Sequence, residues 1–164
     1  MANPFETFDL TPAFDLDLEA LHQRFLAASA ENHPDRFTDP LDQADAAERS
    51  SEINHAYRTL TDPEARANAL LAVLGGPAPE DDKSLPPTFL MEMMAVREEL
   101  EDAEAANDAA ALSRLRQDAQ NKRQHHVDQL STLFAADPVD GKAVRLELNA
   151  MRYIERMLEQ MPNA

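Results

Sequence analysis

Three groups of residues in this 164-residue chain have the types and spacing to do chemistry. The first is Asn-His-Pro-Asp-Arg-Phe at residues 32–37. Pro presets φ and Asp can bond its own backbone, so both suit a turn, but neither calls for a histidine in front of them. An imidazole and a carboxylate on a proline-stiffened loop can make directed, charge-assisted hydrogen bonds to a partner at small ordering cost. The second group is two Glu-x-x-His pairs, Glu19/His22 and Glu52/His55. On paired helices that spacing is how di-iron carboxylate bundles hold metal, with bridging glutamates from two further helices. Here Leu18, Leu21 and Phe25 take the core face of one helix and Ile53, Ala56 and Leu60 that of the other, which leaves both pairs on flanks or outside. Solvated helix faces are the plainer reading, and a metal-carrying helical bundle is the competing one. His125 and His126 point about 100° apart on a helix and chelate poorly.

The third group is Phe-Leu-Met-Glu-Met-Met-Ala-Val-Arg-Glu-Glu-Leu-Glu-Asp, residues 89–102. Leu90, Met91, Met94, Glu98 and Asp102 fall close to one helical stripe, because offsets of four return to nearly the same face. Phe89 to Met94 is apolar except for Glu92, too much for a single core stripe. Some of it is exposed or used, or else all of it packs between domains. Methionines make adaptable protein-binding surfaces, since flexible thioethers repack at little cost. No Gly-x-Ser-x-Gly and no Gly-rich phosphate loop occurs. The chain also has no cysteine, so it carries no disulfide, thiolate nucleophile or Cys-type metal ligand. Neither enzymatic activity nor a cofactor is expected.

The elements that must position these groups read as helices throughout. Three Gly, two Tyr and no Trp, among abundant Ala, Leu, Glu and Arg, point to an all-α fold. Asp17 caps a helix carrying Leu18, Leu21, Phe25 and Ala28, which stops before Pro34 because the residue ahead of a proline is pushed out of the α region. Leu41 to Leu60 forms a second helix, with Ile53, Ala56, Tyr57 and Leu60 on one face, antiparallel to the first. The pair is a hairpin with the His-Pro-Asp loop at its tip, and function often sits on such loops. Asp62-Pro63-Glu64 starts another helix, which Gly75-Gly76 ends. Residues 76–87, rich in Pro and acid, read as a linker between domains at 1–75 and 88–164. Beyond it, helical patterns at about 88–106, 108–135 and 140–160 with short connections imply an antiparallel three-helix bundle.

Thirty-one Asp and Glu against fifteen Lys and Arg give a formal charge of −16, which repels phosphate backbones and anionic lipid headgroups. Neither nucleic acid nor a membrane is an expected partner. Met-Ala-Asn-Pro-Phe-Glu-Thr-Phe-Asp-Leu has no cationic start and no signal-peptide core, and a cytoplasmic location is expected.

The order of these features resembles the HscB family, J-domain co-chaperones of iron-sulfur cluster assembly, over nearly the whole chain. The carrying residues are His33-Pro34-Asp35, the helix Glu-Ile-Asn-His-Ala-Tyr-Arg-Thr-Leu-Thr-Asp-Pro-Glu-Ala-Arg-Ala (52–67) and, above all, the Phe-Leu-Met-Glu…Arg-Glu-Glu-Leu stretch (89–100). The resemblance implies an N-terminal J-domain at 1–75, a linker at 76–87 and a C-terminal scaffold-binding domain at 88–164. It implies a bridge between a DnaK-type chaperone ATPase (HscA) and an IscU-type scaffold protein. His33, Pro34, Asp35 and Arg36 would meet the ATPase, with Arg24 on the helix before the loop. Leu90, Met91, Met94, Glu98, Asp102 and Tyr153 would meet the scaffold. A monomer is expected, and a J-protein serving a different client is the alternative within the class.

Overall fold

Among the described residues, six of the seven α-helices start at a side-chain cap. Asn3, Asp17, Asp39, Asp62, Asp108 and Asp140 each accept a backbone N–H of the first helical turn, satisfying donors that have no partner within the helix. Three of these caps, Asn3, Asp39 and Asp62, are followed by a proline, whose missing N–H costs nothing there. The computed structural model describes residues 3–162. Among them it is all helical: α1 (Pro4–Thr7), α2 (Leu18–Glu31), a 3-10 turn (Pro34–Arg36), α3 (Pro40–Thr61), α4 (Pro63–Val73), α5 (Phe89–Ala105), α6 (Ala109–Ala135) and α7 (Gly141–Gln160). The chain divides into two compact units, Met1–Leu74 and Gly75–Ala164.

In the first unit α2 and α3 form the antiparallel hairpin. Ser50 Oγ donates to Asn32 O (2.9 Å) near the tip, and His22 Nδ1 meets Tyr57 OH (2.9 Å) further down. Phe25 stacks on Tyr57 at 4.0 Å between ring centroids. Leu21, Ile53, Ala56 and Leu60 are buried with Phe5, Phe8 and Phe14 and with Ala67, Leu70 and Leu71 of α4. Leu18 departs from expectation: it is 47% exposed. As the first residue of α2 it sits at the open end of the hairpin, where helical spacing alone guarantees no neighbour. Arg66 is the buried cation of this unit. Its guanidinium lies 4.9 Å from the Phe14 ring centroid and Nη1 donates to Leu60 O (2.7 Å). Burial pushes its pKa down, and Asp15 and Asp62 pull the other way.

The second unit is the antiparallel three-helix bundle. Along α6 and α7, Arg116 reaches Met161 O, Arg123 Nε bonds Glu155 (2.8 Å) and His126 bonds Glu147, so one helix ascends as the other descends. Phe89, Met93, Ala119, Ala150, Ile154, Met157 and Met161 make a buried cluster from all three helices. The stretch 76–87 is tied to α7 instead of hanging free. Arg145 Nε donates to Pro77 O (3.1 Å), and Asn149 Nδ2 donates to Asp82 O and Ser84 O (2.9 Å each). Hydrogen bonds from Ser84 hold the Asp82 carboxyl below its usual range.

Candidate functional site

Around His33-Pro34-Asp35 the backbone is fixed from within. His33 adopts an extended conformation (φ −69°, ψ 128°), Pro34 opens the 3-10 turn, and Phe37 is extended again. Arg36 N donates to His33 O (3.0 Å) and Phe37 N to Pro34 O (3.1 Å). Asp35 N donates to His33 Nδ1 (3.2 Å), so in this geometry the free ring nitrogen is Nε2, which carries the N–H. The Asp35 carboxylate lies 3.7 Å from the same Nδ1. Both side chains face solvent, His33 at 60% and Asp35 at 91% exposure. The turn is also tied to its two helices: Arg36 Nη1 donates to Ala30 O at the end of α2 (3.2 Å), Gln43 Nε2 to Phe37 O (2.7 Å) and Ser50 Oγ to Asn32 O. The loop is therefore a preorganised donor and acceptor pair, a histidine N–H beside a carboxylate, held in place by Arg36, Gln43 and Ser50.

Two basic residues expected to face the ATPase have structural work. Arg36 braces the end of α2 as described. Arg24 Nη1 donates to Phe8 O (2.7 Å) and Asp9 O (2.8 Å), closing the carbonyl end of α1. Sequence spacing gives no hint of either bond, because the acceptors are backbone carbonyls brought near by the fold.

On α5, residues 89–94 split cleanly. Phe89 and Met93 are buried, whereas Leu90, Met91 and Met94 are 48%, 75% and 57% exposed. The bundle that α5 belongs to thus buries only part of the apolar stretch. Glu98 and Asp102 continue the exposed stripe. Tyr153 is half-buried, packed against the bundle core. Its ring meets Phe89 edge-on at 5.6 Å, and Arg97 Nε donates to its hydroxyl (3.0 Å) while the guanidinium lies 5.4 Å from the ring centroid. Tyr153 therefore reaches α5 at the residues just before Leu90 and just before Glu98. Arg97 was not among the residues expected to matter, since its partner is 56 positions away.

The Glu-x-x-His pairs do not converge. Glu19, His22, Glu52 and His55 are all exposed, His22 is bonded to Tyr57, and no group of three or more His, Asp or Glu side chains among the described residues is placed to hold a metal ion. His125 lies exposed beside His126, which is bonded to Glu147. No helix among the described residues is long and apolar enough to cross a membrane.

Comparison with known proteins bears on what these surfaces belong to. The model of the HSCB C-terminal oligomerisation domain matches residues 85–161. The chain is 34% identical to the co-chaperone protein HscB homolog of Neisseria meningitidis over all of its own length and 99% of the relative's. The chain belongs to the HscB co-chaperone family. The HscB homolog of Paraburkholderia xenovorans is 35% identical, with 96% of this chain and 90% of that protein covered. Among solved structures, chaperone HscB from Vibrio cholerae superimposes with a TM-score of 0.81 at 32% identity, covering 98% of this chain and 95% of that one. Human co-chaperone HscB gives 0.84 at 26% identity, covering 98% and 81%. The relatives are thus named as co-chaperones, and the HscB fold accounts for both units.

Proposed function

We propose that this chain is a co-chaperone of iron-sulfur cluster assembly that binds an IscU-type scaffold, delivers it to a DnaK-type chaperone ATPase (HscA) and stimulates that ATPase. In this reading residues 1–75 are a J-domain and His33, Pro34 and Asp35 dock on the ATPase. Leu90, Met91 and Met94 bury apolar surface against the scaffold, Glu98 and Asp102 supply a charged rim, and Tyr153 adds an aromatic edge held by Arg97. Arg24 and Arg36 act mainly by shaping the hairpin. The protein performs no bond chemistry of its own and works in the cytoplasm.

The observation that carries this reading is the coexistence of two exposed constellations of different chemistry, one in each unit: a directed polar pair and an adaptable apolar stripe. An apolar stripe rimmed by polar residues is a mark of protein partners. The test is steady-state ATP hydrolysis by the chaperone, with and without scaffold. Stimulation lost in His33→Gln, with scaffold binding intact, supports the reading; stimulation unchanged in that variant overturns it.

The matched family model is described as an oligomerisation domain, and a self-associating surface would also carry exposed leucine and methionines. We take the protein as a monomer whose stripe is reserved for the scaffold. Sedimentation velocity decides this: a single 18.3 kDa species is expected, and a dimer that dissociates in Met91→Ala, Met94→Ala would assign the stripe to self-association.

A further inference from the structure

The Glu-x-x-His pairs of α2 and α3 differ in their surroundings. On α2, His22 is bonded to Tyr57. On α3, Glu52 and His55 are exposed, with no side-chain partner among the described residues, and both line an open groove of about 700 Å³ within the first unit. α3 packs against both α1 and α4 and forms the floor from Ser51 to Thr59, about 12 Å of helix at 1.5 Å per residue. Pro4 and Thr7 of α1 make one wall, and Ala69, Ala72 and Val73 of α4 the other. The space exists because α4 presents alanine at positions 69 and 72, three apart and so on one face, opposite Ala56 of α3. Methyl groups leave the trough between the helices unfilled. Its lining includes no lysine or arginine, so Glu52 carries the charge of the site.

We propose that this groove docks a basic amphipathic helix of a further protein partner, with apolar side chains laid over Ala56, Ala69 and Ala72 and a lysine or arginine of that helix bonded to Glu52. A helix enters an apolar groove through anchors at i, i+3, i+4 and i+7, and a trough open along its length suits such a segment better than it suits a small ligand, which is mostly enclosed in its site. The charge picks the occupant. An unpaired carboxylate on an apolar rim gains a charge-assisted hydrogen bond from a cation, whereas an acidic segment meets repulsion both from Glu52 and from a chain of net charge −16. His55, one turn along, offers a ring nitrogen to a polar group beside the cation. Every lining residue belongs to the first unit and none to the His-Pro-Asp turn, so the occupant is neither the ATPase nor the scaffold of the proposed function, and the inference stands apart from that reading.

The test is selection on the full-length chain from a displayed library of random peptides of about 12 residues, followed by anisotropy titrations of the enriched peptides. Enriched sequences should carry a lysine or arginine with apolar residues three and four positions away. Glu52→Gln should weaken their binding about tenfold, and Ala72→Trp, which fills the trough, should abolish it. Both positions are exposed, so both melts should stay native, and Glu52→Gln decides alone should the tryptophan variant misfold. Glu19→Gln, the same charge change on α2 outside the groove, should bind like wild type. Both groove variants should stimulate the chaperone ATPase as wild type does. A selection that enriches no peptide, or acidic ones, overturns the proposal, as do peptides that bind both groove variants at wild-type strength. Equal weakening by Glu19→Gln overturns it too, since the effect is then one of net charge. Loss of ATPase stimulation in the natively folded groove variants would assign the groove to the ATPase and overturn the separate partner.

Discussion

Around His33 the backbone is held by the loop's own side chains and neighbours: Arg36, Gln43 and Ser50 each spend a donor on a main-chain carbonyl, leaving His33 and Asp35 pointing outward. On α5 no side chain caps the first turn, and what reaches solvent there is the apolar surplus left once Phe89 and Met93 have entered the core. One region presents directed polar groups on a stiff turn; the other presents flexible side chains on a stiff helix. Fixed polar groups suit a partner of one geometry, since little entropy is lost on docking. Methionines suit a surface that must fit adaptably. Both regions are preorganised in backbone, and they differ in where freedom is retained.

Substitutions at each region sharpen that contrast. The largest functional effect is expected for His33→Gln, which should cut ATPase stimulation by roughly tenfold or more while leaving the melting temperature near wild type, because an exposed side chain supports little packing. A melt that falls in step with activity would show that the turn serves the fold. Adjacent methionines give the next comparison. Met93→Ala empties a fully buried site and should cost about 2–5 kcal/mol of stability. Met94→Ala should barely move the melt and weaken scaffold binding about tenfold, near 1.4 kcal/mol. Calorimetric affinities and thermal melts on the two variants read both quantities, and the reverse assignment would break the division of α5 into core and contact.

Tyr153 sits between the two behaviours. Tyr153→Phe removes only the Arg97 bond and should cost about 1 kcal/mol in stability, whereas Tyr153→Ala also strips packing from Phe89 and should lower the melt further. Equal melts for the two would show that the ring contributes nothing to the bundle. The smallest effect concerns rim charge. Glu98→Gln with Asp102→Asn should flatten the salt dependence of the scaffold association rate and change the dissociation rate little. Stopped-flow traces with equal salt slopes for mutant and wild type would remove these acids from the encounter.

Much of this was legible in the sequence because it depends on local chemistry. Asp17 and Asp62-Pro63 announce helix starts through capping, and Ile53, Ala56 and Leu60 announce a core face through spacing. The exposed pair His33 and Asp35 follows from Pro34 breaking the helix. What stayed hidden depends on contacts that span the chain. Arg24 binding the end of α1, Arg145 and Asn149 strapping residues 77–84 to α7, and Arg97 bonding Tyr153 are all side-chain bonds with no period in the sequence. Leu18 misleads for the converse reason: its spacing is right, but the fold leaves it 47% exposed.

The central claim is that one molecule carries both surfaces and bridges its partners. Complementation in trans tests it most directly. Mix His33→Gln protein with Leu90→Ala, Met91→Ala, Met94→Ala protein, and measure the additional ATPase stimulation that scaffold produces beyond each component alone. The account predicts that the mixture does no better than the triple variant by itself, since delivery and stimulation must occur in the same molecule. Recovery of the wild-type response by the mixture would contradict it.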